Sequence, residues 1–327
     1  MWVEPEIRDA VVARLTDLTE RTSIKINTML KILDLNKVKF YRWKKRTGCP
    51  NKHNGKVPRS HWLTPDEVEK IKDYAKNHYS EGSLYIRDGY RRLTYQMINQ
   101  NIVAASPSSV YRILKEEGLI NRWNTVKKNL KGTGFKQPDH PHKEWHVDFK
   151  YVNFNGTFLF LIPVIDGYSR SVLHFELRYT MSEYDVELAI RGAKAKYPFA
   201  RPRIITDNGS QFTSKEFKMF IKESELKHIK TSVNHPQSNG KIERFNRTIA
   251  EECLRIKSPV NFEEYKIYLE DYVNYYNTQR LHSALNYLTP EDYLLGRVEE
   301  KLKLREQKLR KAEEVRKLYW QYRAEAA

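Results

Sequence analysis

Three acidic residues of this 327-residue chain have types and positions suited to metal-ion chemistry: Asp148, Asp207 and Glu243. Fifty-eight residues separate the first two, and 35 separate the second from the third. Converging carboxylates are hard oxygen ligands, which suit Mg²⁺ or Mn²⁺ and not zinc. Two such ions about 3.5–4 Å apart activate an attacking oxygen and stabilise a leaving oxygen. The three acids therefore predict a site for displacement at a phosphodiester.

Local context distinguishes these acids, since acidic pairs at any given spacing recur by chance. Asp148 lies in the apolar segment "WHVDFKYV", where an unpaired charge is costly. Asp207 ends the predicted strand "PRIITD", a position where ligand sites of α/β sheets gather. Glu243 falls one turn into a helix opened by "HPQSNG". For Glu243 the alternative is a solvent-exposed helix with charge pairs four residues apart.

Positive and polar residues surround Glu243. The basic residues predict a track that binds DNA phosphates, and the loop residues before the helix are predicted to position the scissile phosphate or a nearby base. Turn formation is an equal alternative for the loop residues. The predicted DNA-contacting residues here are Lys241, Arg244, Arg247, His235, Gln237 and Asn239.

The elements that must position the three acids begin at Glu144. The short apolar runs "WHVDFKYV", "TFLFLIPVID" and "SVLHFEL", separated by turn residues, predict three strands joined by hairpins. A helix, the strand "PRIITD", another helix and the strand "KHIKTSV" follow. This order predicts an α/β core, a mixed five-stranded sheet with flanking helices.

Two helical segments precede the sheet. In the first, Asn36 is a predicted cap for the basic helix "KVKFYRWKKR". In the second, "SPSSVYRILKEEGL" follows "YIRDGYRRLTYQMINQN". Both have the outline of a helix-turn-helix, although any small helical bundle shares it. The predicted DNA-contacting residues of the two segments are Lys37, Lys39, Arg42, Lys44, Lys45, Arg46, Arg91, Arg92 and Arg112.

The charge balance predicts a polyanionic partner. Lys and Arg total 58 against 41 Asp and Glu, a net charge of +17. Residues 36–59 hold nine basic residues and no acidic one. Neutralising phosphates releases counterions, so nucleic acid is the expected partner. The longest apolar run, "FLFLIPVI", is shorter than the roughly 20 residues of a membrane span, so no membrane partner is expected.

Cysteine and histidine usage predicts a reducing compartment and no zinc site. The chain has two cysteines, Cys49 and Cys253, too few for a disulfide framework. His140 and His142 lie in a loop without a cysteine partner, where solvated side chains are the usual outcome. The N-terminus has acidic residues and lacks the apolar region of a secretory signal.

The C-terminal residues predict a highly charged helix. Its apolar stripe, Val298, Leu302, Leu304, Leu309 and Val315, predicts contact with a partner or subunit, and a solvated tail is the alternative. The predicted domains are a helix-turn-helix DNA-binding domain (1–50), a linker (51–60), a second helical DNA-binding domain (61–122), a linker (123–143), the catalytic core (144–295) and the C-terminal helix (296–327).

Four motifs in order resemble those of bacterial insertion-sequence transposases with a retroviral-integrase-type core. They are "WHVDFKYV", "IITDNGSQF", "HPQSNGKIERFNRTIAEE" and "YYNTQRLHSALNYLTPEDYL", and the resemblance covers about residues 140–295. It implies a ribonuclease-H-like fold, with Asp148, Asp207 and Glu243 as catalytic ligands of two Mg²⁺ ions, Mn²⁺ also being accepted. The zinc-binding amino-terminal module of the retroviral relatives is absent, since only Cys49 lies upstream of the core.

The resemblance further implies a transposase that binds terminal inverted repeats, frees a 3′-hydroxyl and transfers it to target DNA, by a copy-out, paste-in route. Holding two ends together requires a homodimer or larger assembly, working at the nucleoid in the bacterial cytoplasm. A metal-dependent nuclease of the same fold without strand transfer is the alternative. A DNA-binding regulator that keeps the core as a scaffold is a third hypothesis, and the presence of all three acids counts against it.

Overall fold

The computed structural model describes residues 3–49, 59, 61–80, 88–120, 137–154, 156–230, 240–256 and 259–325. The chain divides into two compact units, Met1–Arg59 and Ser60–Ala327. Among the described helices, none combines the length and apolarity that crossing a bilayer requires.

The first unit is a three-helix bundle. Its helices are α1 (Pro5–Arg21), α2 (Ile26–Ile32) and α3 (Lys37–Lys44). Their shared core includes Leu15 of α1 and Phe40 of α3. The predicted cap of α3 is confirmed, because the Asn36 side chain accepts hydrogen bonds from the first backbone N–H groups of the helix.

A second helical module, α4–α6, opens the larger unit. It consists of α4 (Pro65–Ser80), α5 (Tyr90–Asn99) and α6 (Pro107–Glu116). Buried side chains from all three helices, including Ile71, Leu93 and Leu114, form one apolar cluster. The hydroxyl of Ser106 accepts a hydrogen bond from the backbone N–H of Ser109 and so caps α6, as the sequence predicts.

A mixed sheet forms the centre of the larger unit. Its strands are β1 (Glu144–Val147), β2 (Lys150–Phe154), β3 (Thr157–Asp166), β4 (Val172–Arg178), β5 (Arg203–Thr206) and β6 (Lys227–Lys230). β3 pairs antiparallel with β4 on one edge and with both β1 and β2 on the other. β1, β5 and β6 then pair in parallel. Because β1 and β2 lie end to end along the same edge of β3, the six strands occupy five positions across the sheet. This arrangement fits a ribonuclease-H-like core.

The prediction of one continuous strand through "WHVDFKYV" is wrong. β1 ends at Val147 and β2 begins at Lys150, so Asp148 and Phe149 lie between two strands that follow each other along β3. The Asp148 carboxylate accepts a hydrogen bond from the backbone N–H of Phe149 (2.9 Å). A side chain that bonds its neighbouring backbone in this way competes with the sheet ladder.

Helices cover both faces of the sheet. On one face are α7 (Glu183–Lys196) and α8 (Lys215–Glu223), and on the other are α9 (Gly240–Ile249) and α10 (Phe262–Thr278). Alternate residues of β3 enter the two clusters: Ile162 and Val164 face α7, and Leu161 faces α9. Burial on both faces explains the unbroken apolar run of this strand.

A buried ion pair joins the end of the α9 helix to the segment after α10. One π-helical turn, Ala250–Leu254, continues α9 and carries Glu252. The carboxylate of Glu252 accepts hydrogen bonds from the Arg280 guanidinium (Nε to Oε2, 2.6 Å) and from the Tyr272 hydroxyl (3.0 Å). Both members of the ion pair are buried.

Two further helices close the chain, α11 (Pro290–Leu294) and α12 (Val298–Glu325). In the predicted apolar stripe of α12, Leu302, Leu304 and Val315 are exposed, whereas Val298 and Leu309 are half-buried, so its contact with a partner or subunit stays a prediction. Arg305 and Arg316 are buried instead. The contacts of this helix are polar, which hydrophobic periodicity does not detect.

We predict that Arg280→Met lowers the free energy of unfolding by about 3–5 kcal/mol, because it leaves the Glu252 carboxylate buried without its counter-charge. Urea denaturation followed by circular dichroism measures the loss. Arg310→Met is the matched control, since Arg310 pairs with Glu306 on the exposed face of α12, and we expect at most about 1 kcal/mol. Equal effects of the two substitutions would contradict the prediction.

Candidate active site

Asp148 directly follows β1 and faces α9. Trp145 and Val147 enter the cluster formed with α7 and α8. Side chains alternate along a strand, so His146 and the following Asp148 lie on the α9 side. The Asn246 amide of α9 confirms this placement by donating a hydrogen bond to Oδ2 of Asp148 (3.0 Å).

Asp207 directly follows β5, the parallel neighbour of β1. The two strands pair in register, with His146 opposite Ile205, so their carboxyl ends meet at one edge of the sheet. Asp148 and Asp207 therefore follow adjacent strands. Asp207 Oδ1 accepts a hydrogen bond from the Gly209 backbone N–H (2.9 Å). A Cβ at residue 209 would lie 3.1 Å from that oxygen, so glycine permits this tight turn.

Glu243 lies in the first turn of α9 with its side chain exposed. Ile242, Phe245 and Ile249 bury the opposite side of this helix against the sheet. Among the described residues, no ion pair joins Glu243 to Arg247, four residues further on. The alternative of a charge-paired surface helix therefore has no contact in its favour.

The electrostatics of Asp148 registers the other two carboxylates. Burial raises the pKa of Asp148 to about 6, and the nearby charges of Asp207 and Glu243 add to this rise. The hydrogen bonds from Phe149 and Asn246 act in the opposite direction. A cation beside Asp148 would favour its charged form and so oppose this rise.

The donor set fits a hard divalent cation, although the carboxylates stand apart. No group of three or more His, Cys, Asp or Glu side chains in the described part of the chain is close enough to hold a metal ion. Asp148, Asp207 and Glu243 nevertheless offer oxygen donors alone, the type that Mg²⁺ prefers. Binding an ion requires the exposed Glu243 side chain to approach the two aspartates.

Lys241 does not lie where the DNA-track prediction puts it. It is 7% exposed, and burial together with the nearby Arg170 lowers its pKa to about 8. His146 lies in the same buried region, where burial lowers its pKa to about 3. Arg244 and Arg247 are exposed and remain available to a phosphate backbone.

The predicted contacts in the helical segments fall into three groups. Arg92 forms an ion pair with the buried Asp88, and Arg91 donates a hydrogen bond to the Tyr90 hydroxyl (3.2 Å), so these two arginines have partners within the protein. The exposed members are Lys37, Arg42, Lys44, Lys45 and Arg112, while Lys39 and Arg46 are half-buried. The loop residues His235, Gln237 and Asn239 lie outside the described residues.

Sequence reasoning missed Asn246. Its amide fixes the carboxylate of Asp148 from the same helix that carries Glu243, three residues earlier. The sequence does place Asn246 on the helix face that carries the apolar residues Ile242, Phe245 and Ile249. In the structure Asn246 is buried with them. A polar side chain on a buried helix face requires a hydrogen-bond partner.

We predict that Asp148→Asn stabilises the metal-free protein at alkaline pH. The folded-state pKa of Asp148, about 6, lies above the usual aspartate value of 3.8. The stability that the protonated Asp148 carboxyl contributes is therefore fully present below its unfolded-state pKa. It is lost as pH rises through the folded-state pKa. In EDTA at pH 8 the variant should be more stable by about 1–3 kcal/mol, and near pH 4 the gain should be much smaller.

Thermal unfolding at the two pH values measures this difference. Asp66→Asn is the matched control, because Asp66 is exposed on α4 and pairs with Lys70. A gain for Asp148→Asn that does not change with pH would contradict the assigned environment.

Comparison with known families matches the region of these acids. Two models, each described as an integrase core domain, match residues 138–236 and 224–290. The InsK protein of insertion sequence element IS150 from Escherichia coli K12 is 27% identical over 246 residues, which cover 70% of this chain and 84% of InsK. The transposase of insertion sequence element IS904 from Lactococcus lactis is 26% identical over 243 residues, which cover 69% of this chain and 92% of that protein.

Solved structures give weaker likenesses. A simian T-cell lymphotropic virus intasome in complex with a PP2A regulatory subunit matches with TM-score 0.45 and 18% identity, over 68% of this chain and 74% of that chain. The HTLV-2 integrase catalytic core domain in complex with magnesium matches with TM-score 0.39 and 20% identity, over 47% of this chain and 97% of that chain. The assignment therefore rests on the domain models and the sequence relatives. The chain therefore has an integrase-type catalytic core, and its similarity to bacterial insertion-sequence transposases supports a DNA transposase enzyme.

Proposed function

We propose that this transposase cleaves a phosphodiester at the end of its element, frees a 3′-hydroxyl and joins that hydroxyl to another DNA strand. One observation carries the proposal. Asp148 and Asp207 follow adjacent parallel strands, and Glu243 lies on the helix beside them. The charges of Asp207 and Glu243 raise the pKa of Asp148.

In this proposal Asp148, Asp207 and Glu243 hold two Mg²⁺ ions, or Mn²⁺ in their place. When bound, the ions activate the attacking oxygen and stabilise the leaving oxygen of an in-line displacement. The protein orients its own ligands: Asn246 fixes Asp148, and the backbone N–H of Gly209 fixes Asp207. Ligands held by such hydrogen bonds lose less freedom on binding and are correctly directed in advance.

We further propose that α1–α3 and α4–α6 bind the terminal inverted repeats of the element. Exposed basic side chains support this role, among them Arg42 and Lys45 in the first unit and Arg112 in the second module. Arg244 and Arg247 on α9 would lead the DNA backbone to the carboxylates. Arg91 is likewise exposed and stays in the proposed surface. Lys241 and Arg92 are left out of it, because Lys241 is buried and Arg92 pairs with the buried Asp88.

The proposed reaction follows a copy-out, paste-in route, in which one end first attacks its partner end and a circle results. It requires two ends held together, and so a homodimer or larger assembly acting on DNA in the bacterial cytoplasm. A linear excised intermediate in cells, without a figure-eight or circle, would reject this route.

We predict that Glu243→Gln abolishes nicking and joining while it leaves DNA-end binding within about twofold. The purified chain is incubated with a labelled fragment carrying its element's end, in Mg²⁺ or in EDTA, and products are resolved on denaturing gels. Removing a metal ligand should cost several kcal/mol of transition-state stabilisation, a loss beyond detection in this assay. Glu251→Gln, on the exposed side of the same helix, should retain activity.

Three outcomes separate the hypotheses. Metal-dependent nicking with joined products, lost in Glu243→Gln, supports the transposition chemistry and this triad. Nicking without joining favours a nuclease. Tight binding without chemistry in any metal favours a DNA-binding regulator.

We predict that Arg42→Ala weakens end binding and reduces the slope of log K against log salt by about 0.9, the value for one lost phosphate contact. Fluorescence anisotropy at several salt concentrations gives the slope. Arg14→Ala is the control, because Arg14 is an exposed arginine of α1 beside Asp17. An unchanged slope for Arg42→Ala would remove this face of α3 from the interface.

A further inference from the structure

Polar contacts hold α12 against the second helical module. Arg305 and Arg316 are 5% and 7% exposed, although arginine is rarely buried unless it is paired. They lie eleven positions apart, about three helical turns, so they project from the same side of α12.

Arg316 fastens α12 to the start of α4. Its guanidinium makes a bidentate pair with Glu67, Nε to Oε2 at 2.9 Å and Nη2 to Oε1 at 2.8 Å. It also donates a hydrogen bond to the Ala104 carbonyl oxygen, in the connection between α5 and α6. One side chain therefore fixes two separate points of the module. A bidentate pair of arginine and carboxylate fixes the relative orientation of the two side chains as well as stabilising their contact.

Arg305 joins the module to the segment that follows α10. Its Nε donates a hydrogen bond to the Asn99 side chain at the end of α5 (3.0 Å), and its Nη1 donates to the Asn286 carbonyl (2.9 Å). The guanidinium also lies 4.8 Å from the ring centre of Tyr95, which stacks on Tyr287 at 4.7 Å. Arg305 thus touches both sides of the junction between helical module and catalytic core.

The core side of this junction is an unusual turn. Asn286 and Tyr287 have φ values of 51° and 55°, and the left-handed region is uncommon for a bulky residue such as tyrosine. Arg305 donates hydrogen bonds to the carbonyl oxygens of both residues. The turn that presents Tyr287 to Tyr95 is thereby held from α12.

Two more polar contacts extend the same attachment. Lys308 Nζ donates hydrogen bonds to the Ile98 and Asn99 carbonyls at the end of α5 (2.9 and 3.1 Å). The Trp320 indole N–H donates to the Trp62 carbonyl (2.9 Å). The contacts run along α12 from Arg305 to Trp320, so this helix forms a strap across the module.

We propose that Arg305 and Arg316 are positioning residues that fix the distance between the second helical module and the catalytic carboxylates. They thereby determine which phosphodiester of a bound end is cut. The inference rests on the proposed function, in which α4–α6 binds the DNA end. Successive base pairs are about 3.4 Å apart along the DNA helix axis, so a module displaced along that axis by a few ångströms shifts a neighbouring phosphodiester toward the active site.

The test is the position of the nick. Arg316→Glu places two carboxylates together and should release the strap. We expect nicks spread over neighbouring phosphodiesters and at least about tenfold less joined product, since misplacement by about 1 Å costs up to a hundredfold in rate. End affinity, measured on the same fragment, should stay within about twofold because α4–α6 keeps its own core.

Reversing the charges of Arg316 and Glu67 together distinguishes a positioning role from nonspecific destabilisation. Glu67→Arg in the Arg316→Glu background should restore a single nick position. Glu67 also accepts a hydrogen bond from the Thr64 backbone N–H and so caps α4. Both the double variant and Glu67→Arg alone lack that cap. Comparing the two therefore measures the effect of the ion pair between residues 67 and 316 without the effect of the lost cap. Arg310→Glu, on the exposed side of α12, should leave the nick position unchanged.

Hydrogen exchange gives a second readout that needs no DNA chemistry. In Arg316→Glu the amides of α4–α6 and α12 should exchange faster, and those of the central sheet should not. Faster exchange with unchanged nick positions would overturn the proposal, and so would unchanged exchange. If the unsubstituted protein bound an end without nicking it, the proposed function would fail, while faster exchange would still support the strap.

Discussion

The parallel pairing of β1 and β5 is the constraint on which the site depends. Parallel neighbours carry their carboxyl ends to the same edge of a sheet, so Asp148 and Asp207 meet although 58 residues separate them in the chain. The pairing also requires a long connection, which here includes β3, β4 and the covering helix α7. Helices α7 to α10 bury both faces of the sheet that carries this edge.

Helix α9 combines packing and chemistry because its two sides differ. Its apolar side, with Phe245 and Ile249, is buried on the sheet, while Glu243 remains exposed at the first turn. Asn246 links the helix to Asp148, and the π-helical turn that follows brings Glu252 to Arg280. Buried polar contacts therefore tie the helix that carries Glu243 to Asp148 and, through the turn that continues it, to Arg280.

Three buried arginines join separate segments of the larger unit. Arg280 connects the α9 helix with the segment after α10, Arg316 connects α12 with α4, and Arg305 connects α12 with both the helical module and the core. Apolar contacts tolerate sliding, whereas a guanidinium with several fixed acceptors does not. For a protein that must hold DNA in register with an active site, such directional contacts preserve the geometry between its parts.

The sequence by itself determined the chemistry and the local elements. Unusual contexts singled out Asp148, Asp207 and Glu243, and strand and helix periods placed Asp148 within a strand, Asp207 at a strand end and Glu243 on a helix, because burial imposes those periods on the residue types. It did not determine the break at Asp148, the burial of Lys241, the internal partners of Arg91 and Arg92, or the packing of α12. Each of these depends on polar side chains that meet across long separations, such as Glu67 and Arg316. Only the tertiary structure brings such residues together. In the sequence, a charged residue that water will solvate looks the same as one that will pair with a residue far away in the chain.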